Sequence, residues 1–497
     1  MDLDGGLHWL DWVVLVGYAL VVIGLGFYAA RGHTSTKTYF VSRGSLGTFV
    51  IGFSLFASLM STSSYLSIPG ELIKNGPVFL IGGLAGLLAY PVVGYWIIPR
   101  LMKQRVVSVY ELVEVRLGVS ARLLAAGMFI VLRLVWMAAL IFMGASALAV
   151  ILGLPHNQVP VVAVVVGLVA ITYTSLGGLR AVVITDTVQF FLLFGGAALT
   201  VVVVTWKLGG VGAWWPSGWV GHWDPQPVFS WDPHVRVTVV GTIAYMLVFH
   251  ICTAGGDQVM AQRYMSSATV AAARRSYLIY HLSTLAVYGL LALVGLSVMG
   301  FFQENPEVLP GRSDILSEAD HLFPHFISSQ LPMGLTGLVV AGMLAAAMSS
   351  IDSGVNSITA VVMTDFLDRF GLRPRSERSH VRAAQLLAVA IGAIVVTISV
   401  FLGRVPGNYL ELGPRTANLL MPGIFSLVFL ALFVPFVTTT GALVGVVGGV
   451  LTGVLTAYWS VFFGGDPLSF QWIALASLVV NLVVACLISL LCPRRAT

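Results

Sequence analysis

Apolar residues run along this chain in long blocks, at 10–30, 46–69, 77–102, 121–153, 158–177, 181–206, 237–260, 276–301, 330–364, 381–403, 412–437, 439–463 and 471–492. A helix rises about 1.5 Å per residue and needs roughly 20 apolar residues to cross a bilayer, so each block has the length of a transmembrane helix. The pattern predicts an all-α polytopic membrane protein of thirteen transmembrane helices, a single membrane domain over 1–497. Two connections are long: 207–236, with tryptophans at 214, 215, 219, 223 and 231, and 302–329, which is acidic. An interfacial tryptophan belt accounts for the first without a ligand.

Polar residues interrupt the pattern in three places. The second block contains Ala57-Ser58-Leu59-Met60-Ser61-Thr62-Ser63-Ser64-Tyr65-Leu66-Ser67-Ile68-Pro69-Gly70, and the seventh contains His250-Ile251-Cys252-Thr253-Ala254-Gly255-Gly256-Asp257, so two helices are predicted to be discontinuous. They lie five helices apart and therefore cross in opposite directions. This is the arrangement of an inverted repeat, with helices 2–6 (46–206) mirrored by helices 7–11 (237–437). An extra N-terminal helix (10–30) and two extra C-terminal helices (439–492) flank it. Paired interruptions point to a transport site at mid-depth, although Ser and Gly are also common in simply packed membrane helices. The third interruption, Met343 to Ser357, sets Ala346, Ser349 and Ser350 at i, i+3 and i+4, placing a carbonyl and two hydroxyls on one helical face. Such hard oxygens suit a small hard cation, and back-bonding of the hydroxyls within the helix is the competing reading.

Composition narrows the class. With 58% hydrophobic and 9% charged residues the chain is far from a soluble globular domain. Its formal charge of +5 sits in short loops rather than one patch, which argues against nucleic acid. Arg31, Lys37, Arg43, Arg100, Lys103, Arg105, Arg116, Arg122, Arg180, Arg263, Arg274, Arg275, Arg369, Arg373, Arg375, Arg378, Arg382, Arg494 and Arg495 fall on one side, against Lys74, Lys207, Arg236, Arg312 and Arg404 on the other. The positive-inside rule then predicts a multi-pass protein of the plasma (inner) membrane with its N-terminus outside and its C-terminus cytoplasmic. Cys252, Cys486 and Cys492 lack paired or metal-ligand spacing and read as small buried hydrophobes. No zinc motif, nucleophile elbow or phosphate loop is present, so no enzyme is expected.

Four segments, Thr174-Ser-Leu-Gly177-Gly178-Leu-Arg180-Ala181, Thr185-Asp186-Thr-Val-Gln189, Asp257-Gln258-Val-Met-Ala-Gln262-Arg263-Tyr264 and Ala346-Ala-Met-Ser349-Ser350, resemble the solute:sodium symporters. The resemblance implies the five-plus-five inverted repeat of the leucine-transporter fold and sodium as the co-transported ion. It implies a sodium site formed by the carbonyls of Ala57, Met60 and Ala346 with the hydroxyls of Ser349 and Ser350. Some members hold a second sodium, at positions matching Asp186, Ser349 and Ser353, with Asp352 here replacing what is often a hydroxyl. That replacement either strengthens a cation site or turns the acid elsewhere, and Asp186 is alternatively open to water or paired with Arg180.

The sugar-binding members use amide and acidic side chains where this chain has Ser63, Ser64 and His250, which disfavours a sugar. Leu66-Ser-Ile-Pro69-Gly-Glu71 is similar to the branch that carries monocarboxylates, vitamins or iodide. Candidate solute contacts are Ser61, Ser63, Ser64, Arg133, Trp136, His250 and Thr253. A buried Arg133 needs either a solute carboxylate or an intramembrane acid as partner. His250, read as one turn before the second break, either donates to an anion or packs as a hydrogen-bonded core histidine. The expected function is sodium-coupled import of a small solute by alternating access, with an organic anion such as a monocarboxylate first and a sugar, inositol, amino acid or sialic acid as alternatives. A non-transporting sensor or receptor and an ion channel are the readings from other classes. The expected partners are solute, sodium and lipid.

Overall fold

The computed structural model describes residues 7–30, 39–40, 46–104, 106–223, 227–309, 314–374, 376–402 and 409–493. Of the residues that set the expected orientation, Arg31, Lys37, Arg43, Arg105, Arg312, Arg375, Arg404, Arg494 and Arg495 lie outside the described residues. The chain begins with α1 (Trp9–Ala30), followed by α2 (Thr48–Leu59), α3 (Thr62–Asn75), α4 (Pro77–Gln104), the short α5 (Glu111–Leu117), α6 (Val119–Ile151) and α7 (Val159–Lys207). After the tryptophan-rich connection come α8 (Val239–Gly256), α9 (Gln258–Ser266), α10 (Val270–Glu304), α11 (Ala319–Gln330), α12 (Leu335–Asp368), α13 (Glu377–Leu402), α14 (Tyr409–Phe433), α15 (Thr439–Ala457) and α16 (Gln471–Leu491).

Among the described residues ten helices are long and apolar enough to span a membrane, or eleven when the bent α2–α3 pair is one span, with shorter apolar helices at Val159–Thr172 and Ala417–Phe433. Each of the thirteen predicted blocks contains one of these helices, two of them short among the described residues, so the exact count of thirteen full spans is not confirmed. The fifth and sixth blocks are divided by a turn at Gly178. The blocks 158–177 and 181–206 join there without a loop, through a residue at φ +56° whose Cβ would stand 2.8 Å from the Tyr39 carbonyl oxygen. Only glycine tolerates both that conformation and that approach.

Both discontinuities are present, and each has a local cause. Met60 and Ser61 are extended, Ser61 caps α3 by accepting from the Ser64 N–H, and the two halves meet at 67°. Pro69 lies inside α3 instead of ending it, and the helix runs on to Gly76 at φ +83°. In the second span Asp257 is extended and its carboxylate accepts from the Val259 N–H at 2.8 Å, starting α9. The break is thus two turns beyond His250, not one.

α12 is the central helix, with 94% of its apolar stretch enclosed by protein, and it packs on α2, α6, α7 and α13. Three expectations change in this packing. Arg263, placed among the loop cations by pattern, is fully buried, and Arg122 nearly so. The acidic connection contains α11, which packs so closely on α3 that Gly70 leaves no room for a Cβ beside Asp320. Of the five tryptophans, Trp214 and Trp223 are buried and only Trp215, Trp219 and Trp231 are exposed; Trp223 Nε1 donates to the Ile73 carbonyl near the end of α3. Cys252 is buried as expected, Cys486 is half-buried and Cys492 is exposed.

Candidate functional site

The break between α2 and α3 leaves the last carbonyls of α2 without helical partners. α12 crosses at this point and supplies the hydroxyls. Ser349 Oγ donates to the Ala57 carbonyl at 2.7 Å and lies 3.2 Å from the Ala346 carbonyl, while Ser350 Oγ donates to the Ser58 carbonyl at 3.3 Å. All of these residues are buried. Met60 stands at the break itself, its N–H on the Phe56 carbonyl and its own main chain extended. The structure therefore gathers Ala57, Ala346, Ser349 and Ser350 at the C-terminal, electronegative end of α2, with Met60 adjoining. Neutral oxygens converging on the negative end of a helix are the chemistry of a monovalent cation site.

The residues considered for a second sodium are divided differently. Asp186 is fully buried on α7 and ion-pairs with Arg263 of α9 at 2.9 Å, not with Arg180, which is exposed. Ser54 Oγ donates to Asp186 at 2.5 Å. Arg263 also donates to Ser353 Oγ at 2.6 Å, and the Ser353 and Ser58 hydroxyls are 2.7 Å apart. Asp352 accepts from Thr174 Oγ1 on the other half of α7. Ser349 is engaged with Ala57.

Beside the break lies a cavity of about 200 Å³. Its lining includes Ser61, Ser63, Ser64 and Ser67, the aromatic side chains of Phe79, Trp136, Tyr245, Phe249, Tyr280, Tyr288 and Phe470, and His250. At its mouth Arg236 grips Glu71 with two parallel bonds of 2.7 and 3.0 Å. Met60 and Ser61 belong to both the cavity and the break. Ser61, Ser63, Ser64, Trp136 and His250 thus line the cavity. Arg133 and Thr253 are not among its lining residues: Arg133 ion-pairs with Asp257 at the second break, and Thr253 is buried with no hydrogen-bond partner for its hydroxyl. Pattern reasoning gave no role to the Glu71–Arg236 pair or to Arg263. Glu71 and Arg263 stood in the quoted motifs, but only a structure shows which oxygens they reach.

The sodium:solute symporter family model matches residues 39–449. The sodium/sialic acid symporter NanT of Aliivibrio fischeri is 29% identical over 449 residues, covering 88% of this chain and 85% of that protein. A putative sodium-dependent multivitamin transporter of Drosophila melanogaster is 28% identical over 446 residues, covering 88% of this chain and 72% of its own. Among solved structures, a Na+-coupled sialic acid symporter in a substrate-bound outward-open state is similar at TM-score 0.86 over 99% of both chains, at 23% identity, which shows a shared leucine-transporter-type fold. By the family match, the partners of this chain are a small solute and sodium, and it is a transporter, not an enzyme. With two broken helices, a carbonyl-hydroxyl cluster at the first break and a family match over most of its length, this chain belongs to the sodium:solute symporter family.

Proposed function

We propose that the chain imports a small carboxylate-bearing solute together with sodium by alternating access. One observation carries this reading. At Met60–Ser61 the C-terminal end of α2 and the N-terminal end of α3 meet, so one break presents carbonyls to a cation and N–H groups to an anion. In this reading Ala57, Met60, Ala346, Ser349 and Ser350 hold sodium. The N–H groups opening α3, with the Ser61, Ser63 and Ser64 hydroxyls, receive the carboxylate, while Trp136 and the other aromatic side chains of the lining cover the solute's carbon skeleton. His250 is placed to donate to a polar substituent. Arg133, tied to Asp257, is assigned to the second break rather than to the solute. The solute named for the Aliivibrio relative is itself an acid. Loop charge sets the N-terminus outside, the C-terminus in the cytoplasm and the Glu71–Arg236 mouth outward.

Sodium ordering the break completes the cavity, so solute and sodium raise each other's affinity by the same coupling energy. Uptake into proteoliposomes under an imposed sodium gradient, across monocarboxylates, sialic acid, amino acids, inositol and sugars, tests the reading. Saturable carboxylate uptake that disappears without sodium supports it. Sodium-driven uptake of neutral sugar or inositol alone overturns the solute class, and sodium-independent uptake or non-saturating current overturns the symport itself.

A further inference from the structure

We propose that Arg263 is a built-in cation that fills the second cation position, so that this chain binds and couples a single sodium. The inference deepens the proposed function and rests on its sodium-symport reading. It starts from a guanidinium that is fully buried at the junction of four helices. Its Nε donates to Ser54 Oγ of α2 at 2.8 Å, and its Nη1 to the Val259 carbonyl of its own α9 at 3.1 Å. Its Nη2 reaches Asp186 Oδ2 of α7 at 2.9 Å and Ser353 Oγ of α12 at 2.6 Å. One nitrogen thus uses the carboxylate and the hydroxyl that a sodium between α7 and α12 would need. Ser58, the remaining nearby hydroxyl, donates to the Ser54 carbonyl at 2.7 Å and lies 2.7 Å from Ser353 Oγ.

Charge reinforces the geometry. An arginine stays protonated under all ordinary conditions, so Asp186 already has a permanent counter-charge. A sodium added here would bring an uncompensated positive charge into a site with no solvent exposure, where charges without partners are expensive. Asp186 Oδ1 is buried without a hydrogen-bond partner. A cation on that oxygen would stand one carboxyl group away from the guanidinium, whereas a water there brings no repulsion. The Asp352 carboxylate, for its part, accepts a hydrogen bond from Thr174 Oγ1 of the first half of α7.

Equilibrium binding of radioactive sodium to the purified full-length protein, with N-methylglucamine as the balancing cation and no solute added, counts the sites directly. The wild type is expected to bind one sodium per chain with a Hill coefficient of one, and Ser349→Ala with Ser350→Ala to remove it. Arg263→Gln frees Asp186 and Ser353 and is expected to raise the count from one to two; adding Asp186→Asn returns it to one. Two sodium ions on the wild type, one of them lost in Asp186→Asn, would overturn the proposal while leaving sodium symport intact. No saturable sodium binding by the wild type overturns both. Should Arg263→Gln not fold, the wild-type count alone decides. A folded Arg263→Gln that still binds one sodium also overturns the proposal.

Discussion

Ser349 and Ser350 sit on a helix that is otherwise enclosed in apolar packing, and their hydroxyls donate to carbonyls of a different helix rather than back-bonding to the preceding turn alone. That distinction makes their removal measurable. Losing one buried oxygen contact costs about 1–3 kcal/mol, roughly a 5- to 150-fold change in affinity. Ser350→Ala is expected to raise the sodium concentration for half-maximal uptake about tenfold. Ser349→Ala should raise it further, because Ser349 reaches both Ala57 and Ala346. Unchanged sodium activation in both variants would remove these hydroxyls from the site. The i, i+3, i+4 spacing made this face legible in the sequence, since helical periodicity alone fixes which side chains share a face. Arg263 was illegible for the same reason: periodicity marks it as a cation near the end of an apolar block, and nothing local records that Asp186, 77 residues away, lies 2.9 Å from it.

At the scale of elements, the two broken helices were legible because serine, glycine and aspartate cannot continue an apolar pattern. Where each breaks was not, because a Ser61 cap and an Asp257 cap decide the point while Pro69 is absorbed within α3. The fusion of α7 at Gly178 and the packing of Trp223 against α3 depend on contacts distant in sequence. Arg133 belongs to this scale. It fastens α6 to Asp257, a fully buried acid at the second break. Removing one partner of a buried pair leaves the other charge uncompensated, at about 3–5 kcal/mol. Arg133→Gln is therefore expected to lower thermal stability in detergent, without solute present, by that order, and the double variant Arg133→Gln with Asp257→Asn to recover most of the loss. A single variant of normal stability whose half-saturating solute concentration rises a hundredfold would instead make Arg133 a solute ligand.

For the whole molecule, the number of sodium ions and the charge of the solute together fix what the transporter can accumulate. At about −100 mV one inward charge is worth roughly 2.3 kcal/mol, and a tenfold sodium gradient adds about 1.4 kcal/mol. One sodium with a neutral solute therefore supports about 500-fold accumulation, and two sodium ions about the square of that. One sodium with a monocarboxylate moves no net charge, so the voltage contributes nothing and the limit falls to about tenfold. The proposed carboxylate site at the Met60–Ser61 break and the proposed single sodium would together select this last case. In proteoliposomes holding a tenfold sodium gradient, imposing about −100 mV with potassium and valinomycin should leave the final accumulation ratio of a monocarboxylate unchanged. A gain of about fifty-fold on imposing the potential would show one extra positive charge per cycle, from a second sodium or from a solute carried neutral. The sodium-binding count separates those two causes, since only the first requires a second site at Asp186.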